Sequence, residues 1–443
     1  MSRKPIPIRR AIPAAPAQSQ ERRADLKVRV HQKLLNILNM DAVKAESRHE
    51  LRREVQNALE KILREDHLPI SMTERNRLAE EILDEVFGLG PLEPLLKDPT
   101  ISDILVNTYK NVYIERHGKL LETGIRFQND RHLLHIIEKI VSSVGRRIDE
   151  SVPLVDARLP DGSRVNAIIR PLAVDGPSLS IRRFGRKVLS NDELLQNRTV
   201  TQPVMTFLDA CVQARLNIVI SGGTGSGKTT FLNCLSRFIP EHERVITIED
   251  TAELQIQLDD VVRMETRPAN IESKGAIPQR QLLMTALRLR PDRILLGEVR
   301  GGEALDMLQA MGTGVEGSMT TVHANSPADA FSRLETMVMM AKLDLPSRFI
   351  RQQMASVIQL LVQTARMSDG TRKVTHISEV MGLDVLNIEV HHIFTFEQTG
   401  VRDDGRVLGR FRATSASPRF MERLRVSGIS LPPTLFEEVV TVE

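Results

Sequence analysis

From about residue 200 onward, short apolar runs alternate with amphipathic stretches. The runs LNIVIS, RVITIE and RILLGE each end at small or acidic residues. Between them, segments such as GEALDMLQAMG repeat apolar residues at the spacing of one helix face. This alternation favours an α/β domain over residues 201–443, in which helices cover a largely parallel sheet. The last sixty or so residues are less periodic, and the pattern predicts no fold for them.

The chain before residue 200 follows a different pattern. Residues 26–100 carry helical periodicity, as in TERNRLAEEILDEVFGLG, which ends on a glycine. Residues 101–185 combine short strands, a helix and a hairpin that turns at the Pro-Asp-Gly of residues 160–162, which predicts a small α+β domain. The polar residues 186–200 are typical of a linker. The basic, proline-rich residues 1–25 are typical of a disordered tail or of a docking arm for acidic lipid or a partner.

Composition limits the classes of function. The net charge of +3 over 443 residues is too mild by itself to indicate a nucleic-acid or membrane partner. No apolar run approaches the ~18 residues that span a bilayer. Cys211 and Cys234 lack metal-ligand spacing and indicate a reducing compartment. Aromatic residues make up 3% and tryptophan is absent, which disfavours stacking on single-stranded nucleic acid.

The stretch ISGGTGSGKTTF carries the spacing of a phosphate loop between an apolar run and a helical pattern. Glycines let backbone N–H groups surround a phosphate, and the start of the following helix adds a positive potential. Lys228 would contact the β- and γ-phosphates of ATP, and the Thr229 hydroxyl would bind Mg²⁺. The residues predicted to bind the nucleotide are Gly222, Gly223, Thr224, Gly225, Ser226, Gly227, Lys228, Thr229 and Thr230.

Two acidic strand ends compete for the catalytic roles. VITIEDT ends in Glu249 and Asp250, and RILLGEVRG contains Glu298 followed by Arg300. The carboxyl ends of neighbouring parallel strands converge in an open α/β sheet, so both glutamates can reach the phosphates. One carboxylate can serve the magnesium side while another orients the attacking water, and the residues leave open which is the base. The magnesium-side acid of phosphate-loop enzymes is usually Asp, so Glu298 departs from the commonest layout.

His323 ends the apolar run in GSMTTVHANSP, where a strand passes into a helix. Ser326 is the predicted N-cap of that helix, with Pro327 in its first turn and Asp329 at the capping-box position. Taken locally, His323 is either a structural histidine or a side chain that hydrogen-bonds the γ-phosphate and reports hydrolysis. Its place beyond a phosphate loop and two acidic strand ends favours the second interpretation.

These four pieces, in this order, resemble the secretion ATPase superfamily of type II secretion, type IV secretion and type IV pili. They are the phosphate loop, the acidic IED box, the Glu-type acid in GEVRG and the histidine box TTVHAN. The flanking segments DARLPDGSRVNAIIRP and FRATSASPRFMERLRVSGISLPPTLFE are similar to those of the CpaF ATPases of Tad pili. The resemblance spans roughly residues 75 to 435.

The resemblance implies a cytoplasmic ring hexamer at the inner face of the bacterial inner membrane. Its C-terminal domain would be RecA-like, and the preceding domain would move against it as ATP is bound and hydrolysed. Glu249 matches the general base, Glu298 the magnesium-side acid and His323 the histidine box.

Family members also supply arginines to the γ-phosphate from the N-terminal domain. Arg158, Arg182 and Arg183 stand at the matching places. Residues 158–187 contain seven basic side chains against two acidic ones, which is either a solvated face or a source of an arginine finger.

The function predicted from sequence is an ATPase motor that converts ATP to ADP and phosphate. It would drive assembly, with or without retraction, of a Tad-type pilus through an inner-membrane platform protein. One alternative is a type IV secretion ATPase that exports protein or DNA. Another is a RecA-like nucleic-acid motor, although no direct nucleic-acid binding is expected. A nucleoside kinase would need an acceptor-binding lid, which the sequence does not indicate.

Overall fold

The described residues form two compact units, one up to Phe184 and one after it. The computed structural model describes residues 56–57, 59–61, 71–116, 118–184, 189–267, 269, 274–384, 387–415, 417–437 and 439–442. The predicted tail and the first part of the predicted helical region lie outside these residues. None of the described helices is both long and apolar enough to cross a membrane.

The first unit combines helices with an antiparallel sheet of order β3-β2-β1-β6-β5-β4. Its elements are α1 (Met72–Val86), α2 (Glu93–Lys97), β1 (Ile101–Thr108), β2 (Asn111–Arg116), β3 (Lys119–Glu122), α3 (Asp130–Ser143), β4 (Leu154–Arg158), β5 (Arg164–Ile168) and β6 (Ser178–Arg182). Apolar residues of α3 and of the strands form one shared core. The β4–β5 hairpin turns at Gly162, whose φ of +90° suits glycine, as the Pro-Asp-Gly signal predicts.

The second unit contains the predicted α/β sheet. Its strands and helices as far as the end of the sheet's parallel part are α4 (Asn191–Gln196), α5 (Gln202–Gln213), β7 (Ile218–Gly222), α6 (Lys228–Leu235), β8 (Val245–Glu249), β9 (Val261–Glu265), α7 (Gln279–Ala286), β10 (Arg293–Val299), α8 (Glu303–Gly312), β11 (Met319–His323), α9 (Pro327–Met339), α10 (Ser347–Val357) and β12 (Leu360–Arg366). Strands β12-β7-β11-β10-β8-β9 are parallel neighbours. Ile218 and Ile220 face one core, whereas Val219 faces another, so both sides of β7 are buried as a parallel sheet requires.

The end of the chain extends this sheet with antiparallel strands. Strands β13 (Arg372–Asp384), β14 (Asn387–Val401), β15 (Val407–Ala413) and β16 (Val439–Val442) follow β12 in order, with α11 (Met421–Val426) before β16. The expectation of a largely parallel sheet therefore holds for the six strands from β12 to β9 only. The pattern did not predict the rest because a strand such as β14 carries no long apolar run: its only buried positions are Ile393, Phe394 and Phe396.

The polar segment predicted as a linker contains helix α4. Ser190 caps this helix by accepting a hydrogen bond from the N–H of Glu193 at 3.1 Å, and the Glu193 carboxylate accepts the N–H of Ser190 at 2.8 Å. Leu194 of α4 is buried in the core of the second unit. This part of the segment is thus packed against the α/β domain.

A buried ion pair fixes the starts of β8 and β10. Arg293, the first residue of β10, is fully buried, and its guanidinium is paired with Glu243, two residues before β8. The same guanidinium donates a hydrogen bond to the Val212 carbonyl at 2.7 Å. A side chain at Gly317 would come within 2.7 Å of it, so glycine is required beside this pair.

We expect Glu243→Ala to destabilise the second unit by about 3–5 kcal/mol, because it leaves the Arg293 charge buried without its carboxylate partner. Urea unfolding followed by circular dichroism measures the change. The matched control is Glu397→Ala, which breaks the exposed Glu397–Arg410 pair on β14 and β15 and should cost about 1 kcal/mol or less. Equal costs for the two variants would contradict a structural role for the buried pair.

Candidate functional site

The phosphate loop lies between β7 and α6, at the carboxyl edge of the parallel sheet. Gly225 and Gly227 have φ values of +70° and +94°, which favour glycine. A side chain at Gly222 would overlap Ser226 and Thr364, so the loop can turn this tightly only with glycine there. No side chain of the described residues caps α6, and the N-terminus of a helix is a favourable place for an anion.

Residues of β12 and β13 hold the loop from its side. The hydroxyl oxygens of Ser226 and Thr364 are 3.0 Å apart and share a hydrogen bond. The Arg372 Nε donates to the Gly225 carbonyl at 3.3 Å. Arg366, at the end of β12, also lies beside Gly225, because a Cβ on that glycine would be 3.5 Å from its guanidinium. The loop is therefore held in place by two strands that follow it by about 140 residues in the chain.

Lys228 links the phosphate loop to the acidic end of β10. Its side chain is only 9% exposed, and its ammonium donates to the Gly223 carbonyl at 3.2 Å. The same nitrogen lies 3.8 Å from Glu298 Oε1. The lysine that the phosphate-loop motif predicts and the glutamate that the resemblance places at the magnesium side are thus brought together.

Glu249 ends β8 and is almost fully buried. Its carboxylate accepts backbone hydrogen bonds from Glu253 at 2.8 Å and Leu254 at 3.0 Å. Burial raises the pKa of Glu249 to about 7, although these hydrogen bonds oppose the shift. Glycine at position 297 on the neighbouring β10 leaves space for the Glu249 side chain, since a Cβ there would lie 2.9 Å from Glu249 Cγ. A carboxyl group with this pKa can accept a proton near neutral pH.

Arg300 connects the two acidic strand ends. Its Nε donates to Glu298 Oε2 at 2.7 Å, and Nη2 lies 2.5 Å from the same oxygen. Its Nη1 lies 3.2 Å from Asp250 Oδ2. Asp250 also accepts a hydrogen bond from the Gln279 side chain at 3.0 Å. Asp250 is therefore held in a polar network beside Glu249.

His323 is the last residue of β11 and is half-buried. It stands opposite Gly222 in the parallel pairing of β11 with β7, directly beside the start of the phosphate loop. The next N–H, of Ala324, donates to the Gly222 carbonyl at 3.3 Å. The following helix starts as predicted, because Ser326 accepts the N–H of Asp329 at 3.1 Å.

The predicted arginines lie in the first unit. Arg158 is opposite Arg164 across β4 and β5, and Arg164 is opposite Arg182 across β5 and β6, so three guanidinium groups start from neighbouring strand positions. The Arg158 Nε donates to the Gly162 carbonyl at 3.2 Å, and its guanidinium carbon lies 5.7 Å from the Phe184 ring centroid. Arg183 instead donates to the backbone carbonyls of Asp98 and Ile101 within its own unit.

This arrangement fits a nucleoside triphosphate with a divalent cation. The glycine cradle, the uncapped N-terminus of α6 and the Lys228 ammonium suit phosphate oxygens. The half-buried Thr229 hydroxyl and the Glu298 carboxylate are oxygen ligands of the kind Mg²⁺ prefers, and Mg²⁺ usually takes its remaining ligands from phosphates and water. Together, these residues would hold the nucleotide phosphates and the divalent cation.

Sequence reasoning did not single out Thr364, Arg366 or Arg372, although all three lie at the phosphate loop. They belong to the segment QTARMSDGTRKV, where two arginines flank a short turn after an apolar run. That signal was available, but the pairing of β12 with β7, which brings the segment to the loop, leaves no mark in local periodicity.

Comparison with known proteins assigns the family. The profile described as "Type II/IV secretion system protein" matches residues 85–400. A second profile, "Type II secretion system protein E, N-terminal domain", matches residues 23–87.

Individual relatives agree with these profiles. A Mycobacterium tuberculosis protein named for conjugal transfer is 33% identical over 341 residues, covering 75% of this chain and 95% of its own length. The conjugal transfer protein TrbB of Rhizobium radiobacter is 30% identical and covers 68% of this chain and 91% of its own length. The type IV secretion system protein VirB11 of Brucella suis is 33% identical and covers 66% of this chain and 89% of its own length.

Among solved structures, the VirB11 ATPase of Brucella suis in complex with sulphate is similar at 29% identity. The match covers 67% of this chain and 97% of that one, with a TM-score of 0.37. The family assignment rests on the two profiles and on the sequence relatives. The chain therefore belongs to the type II/IV secretion system protein family.

Proposed function

We propose that this protein binds ATP with Mg²⁺ at the carboxyl edge of the second unit's sheet and hydrolyses the γ-phosphate. The observation that carries the proposal is the meeting of Lys228 with Glu298 at the phosphate loop, 3.8 Å apart. A phosphate-binding cation and a metal-binding carboxylate at one loop are the two parts that phosphoryl transfer requires.

Glu249 is the proposed general base. Its raised pKa, about 7, lets its ionised form accept a proton from the attacking water near neutral pH. The backbone hydrogen bonds from Glu253 and Leu254 orient the carboxyl group. Glu298 and Thr229 would bind Mg²⁺, which neutralises charge on the β- and γ-phosphate oxygens when bound. His323, beside Gly222, is the proposed contact to the γ-phosphate.

The proposed assembly is a homohexamer that acts at the inner face of the inner membrane through a platform protein. This part comes from the resemblance to secretion ATPases. In the same proposal Arg158 and Arg182 supply positive charge to the γ-phosphate. Arg183 is a weaker candidate, since its guanidinium is bonded to backbone carbonyls of its own unit.

The motor would drive one of two systems, a Tad-type pilus or a type IV secretion system. The segments shared with CpaF ATPases favour assembly of a Tad-type pilus. The relatives named for conjugal transfer and type IV secretion favour export of DNA or protein instead. Deletion of the gene in the source organism separates the two. Loss of surface pili in electron micrographs with intact DNA or protein export supports the pilus, and the reverse result supports secretion.

Lys228→Ala should abolish ATP hydrolysis, because it removes the compact charge that faces the β- and γ-phosphates. Phosphate release from the purified protein measures it. Lys342→Ala, which removes an exposed lysine just beyond α9, is the control and should keep wild-type turnover. Retained turnover in Lys228→Ala would remove the phosphate loop from the mechanism.

Glu249→Gln should bind ATP normally but lower kcat by about 10²-fold or more, because an amide cannot take the proton of water. In the wild type, kcat should rise with pH through about 7, since only the ionised carboxylate acts as base and its pKa is raised to that value. The remaining activity of the variant should lack this rise. An unchanged kcat would mean that another group is the base.

Arg158→Ala should lower kcat by up to ~10³-fold, the effect of losing an arginine finger. The affinity for nucleotide should stay unchanged. Arg131→Ala, on the exposed face of α3, is the control from the same unit and should change neither quantity. If Arg158→Ala lowers only the thermal midpoint, the arginine serves the hairpin through Gly162 and Phe184 and not the phosphate.

A further inference from the structure

Two cations approach the carboxylate of Glu298. Lys228 lies 3.8 Å from Oε1, and Arg300 contacts Oε2 through Nε at 2.7 Å and Nη2 at 2.5 Å. Lys228 belongs to the phosphate loop and faces the phosphates in the proposed mechanism. Arg300 is therefore the cation that occupies the other oxygen of this carboxylate.

Arg300 already has a second acidic partner. Its Nη1 lies 3.2 Å from Asp250 Oδ2, on the neighbouring strand end. Asp250 is itself anchored, because Gln279 and Thr266 donate to its other oxygen at 3.0 and 3.3 Å. The guanidinium, 59% exposed, contacts both carboxylates, so it can leave Glu298 and keep its ionic contact with the anchored Asp250.

The backbone of Arg300 is held independently of its side chain. The N–H groups of Arg300 and Gly301 both donate to the Glu303 carboxylate at 2.7 Å, at the first turn of α8. Gly302 packs directly on Ala341, since a Cβ there would lie 3.0 Å from its Cα. Release of Glu298 would consequently move the guanidinium alone.

We infer that Arg300 is a built-in competitor of Mg²⁺ for Glu298, which gives up this carboxylate to the metal and shifts to Asp250. The inference rests on the proposed function, because it takes Glu298 as the magnesium-side acid. A guanidinium stays charged at any working pH, so it and a divalent cation repel each other at one carboxylate. Arg300 therefore sets the Mg²⁺ concentration at which the site is half-saturated.

Binding of a fluorescent ADP analogue tests this, titrated with Mg²⁺ from an EDTA-buffered start. In Arg300→Gln the half-saturating Mg²⁺ should fall by about three- to fivefold, the range of an exposed ion pair. Affinity for the analogue in EDTA should stay within about twofold of wild type. Arg300→Lys retains a charge that can pair with Glu298 and should stay close to the wild-type midpoint.

Arg410→Gln is the matched control. Arg410 contacts Glu397 through Nε at 2.8 Å and Nη2 at 2.7 Å, so the change removes one charge and one similar pair away from the loop. Its Mg²⁺ midpoint should equal that of wild type. Thermal midpoints of all variants check that each is folded.

The outcomes separate this inference from the proposed function. If the wild type binds no analogue, or binds it without regard to Mg²⁺, the proposed function fails. If wild-type binding depends on Mg²⁺ and Arg300→Gln has an equal or higher midpoint, the competitor role is wrong. Loss of binding in EDTA in Arg300→Gln would also overturn it, because Arg300 would then contact the nucleotide itself.

Discussion

The structure of the site depends on parallel strands that end at one edge of a sheet. The pairing of β7 with β11 sets His323 beside Gly222, and the pairing of β8 with β10 sets Glu249 beside Gly297. A shift of one residue in either pairing would turn these side chains to the opposite faces of the sheet. Functional side chains that are spread over a hundred residues of sequence therefore lie together at a single loop.

This edge is crowded, and two kinds of contact keep it in register. Glycine at 222 and 297 allows approaches that any side chain would block. At the opposite end of the strands, the buried pair of Arg293 and Glu243 fixes where β10 starts relative to β8. Burial of Glu249 in the same sheet raises its pKa, so the packing that forms the edge also brings the pKa of the proposed base toward neutrality.

Much of the fold and of the site was predictable from sequence because the signals for them lie in short, contiguous segments. The phosphate loop is a contiguous motif, and the apolar runs before it and before Glu249, Glu298 and His323 are the observed strands. Fold class and family follow from these runs and their order. The capped helix after Ser326 is likewise a local signal.

The rest depends on contacts between distant segments. Arg372 reaches the Gly225 carbonyl only because β12 pairs with β7. The bridge from Glu298 through Arg300 to Asp250 depends on the neighbouring positions of β8 and β10. The antiparallel strands near the chain end escaped prediction because a strand such as β14 has few buried positions and therefore no long apolar run.

We propose above all that nucleotide phosphates bind at this edge of the sheet. A structure determined with Mg²⁺ and a non-hydrolysable ATP analogue tests it most directly. We expect phosphate density in the loop from Gly222 to Thr229, with the terminal phosphate toward Glu249 and His323 and the metal at Glu298. Nucleotide bound elsewhere, or phosphates that face away from Lys228, would contradict it.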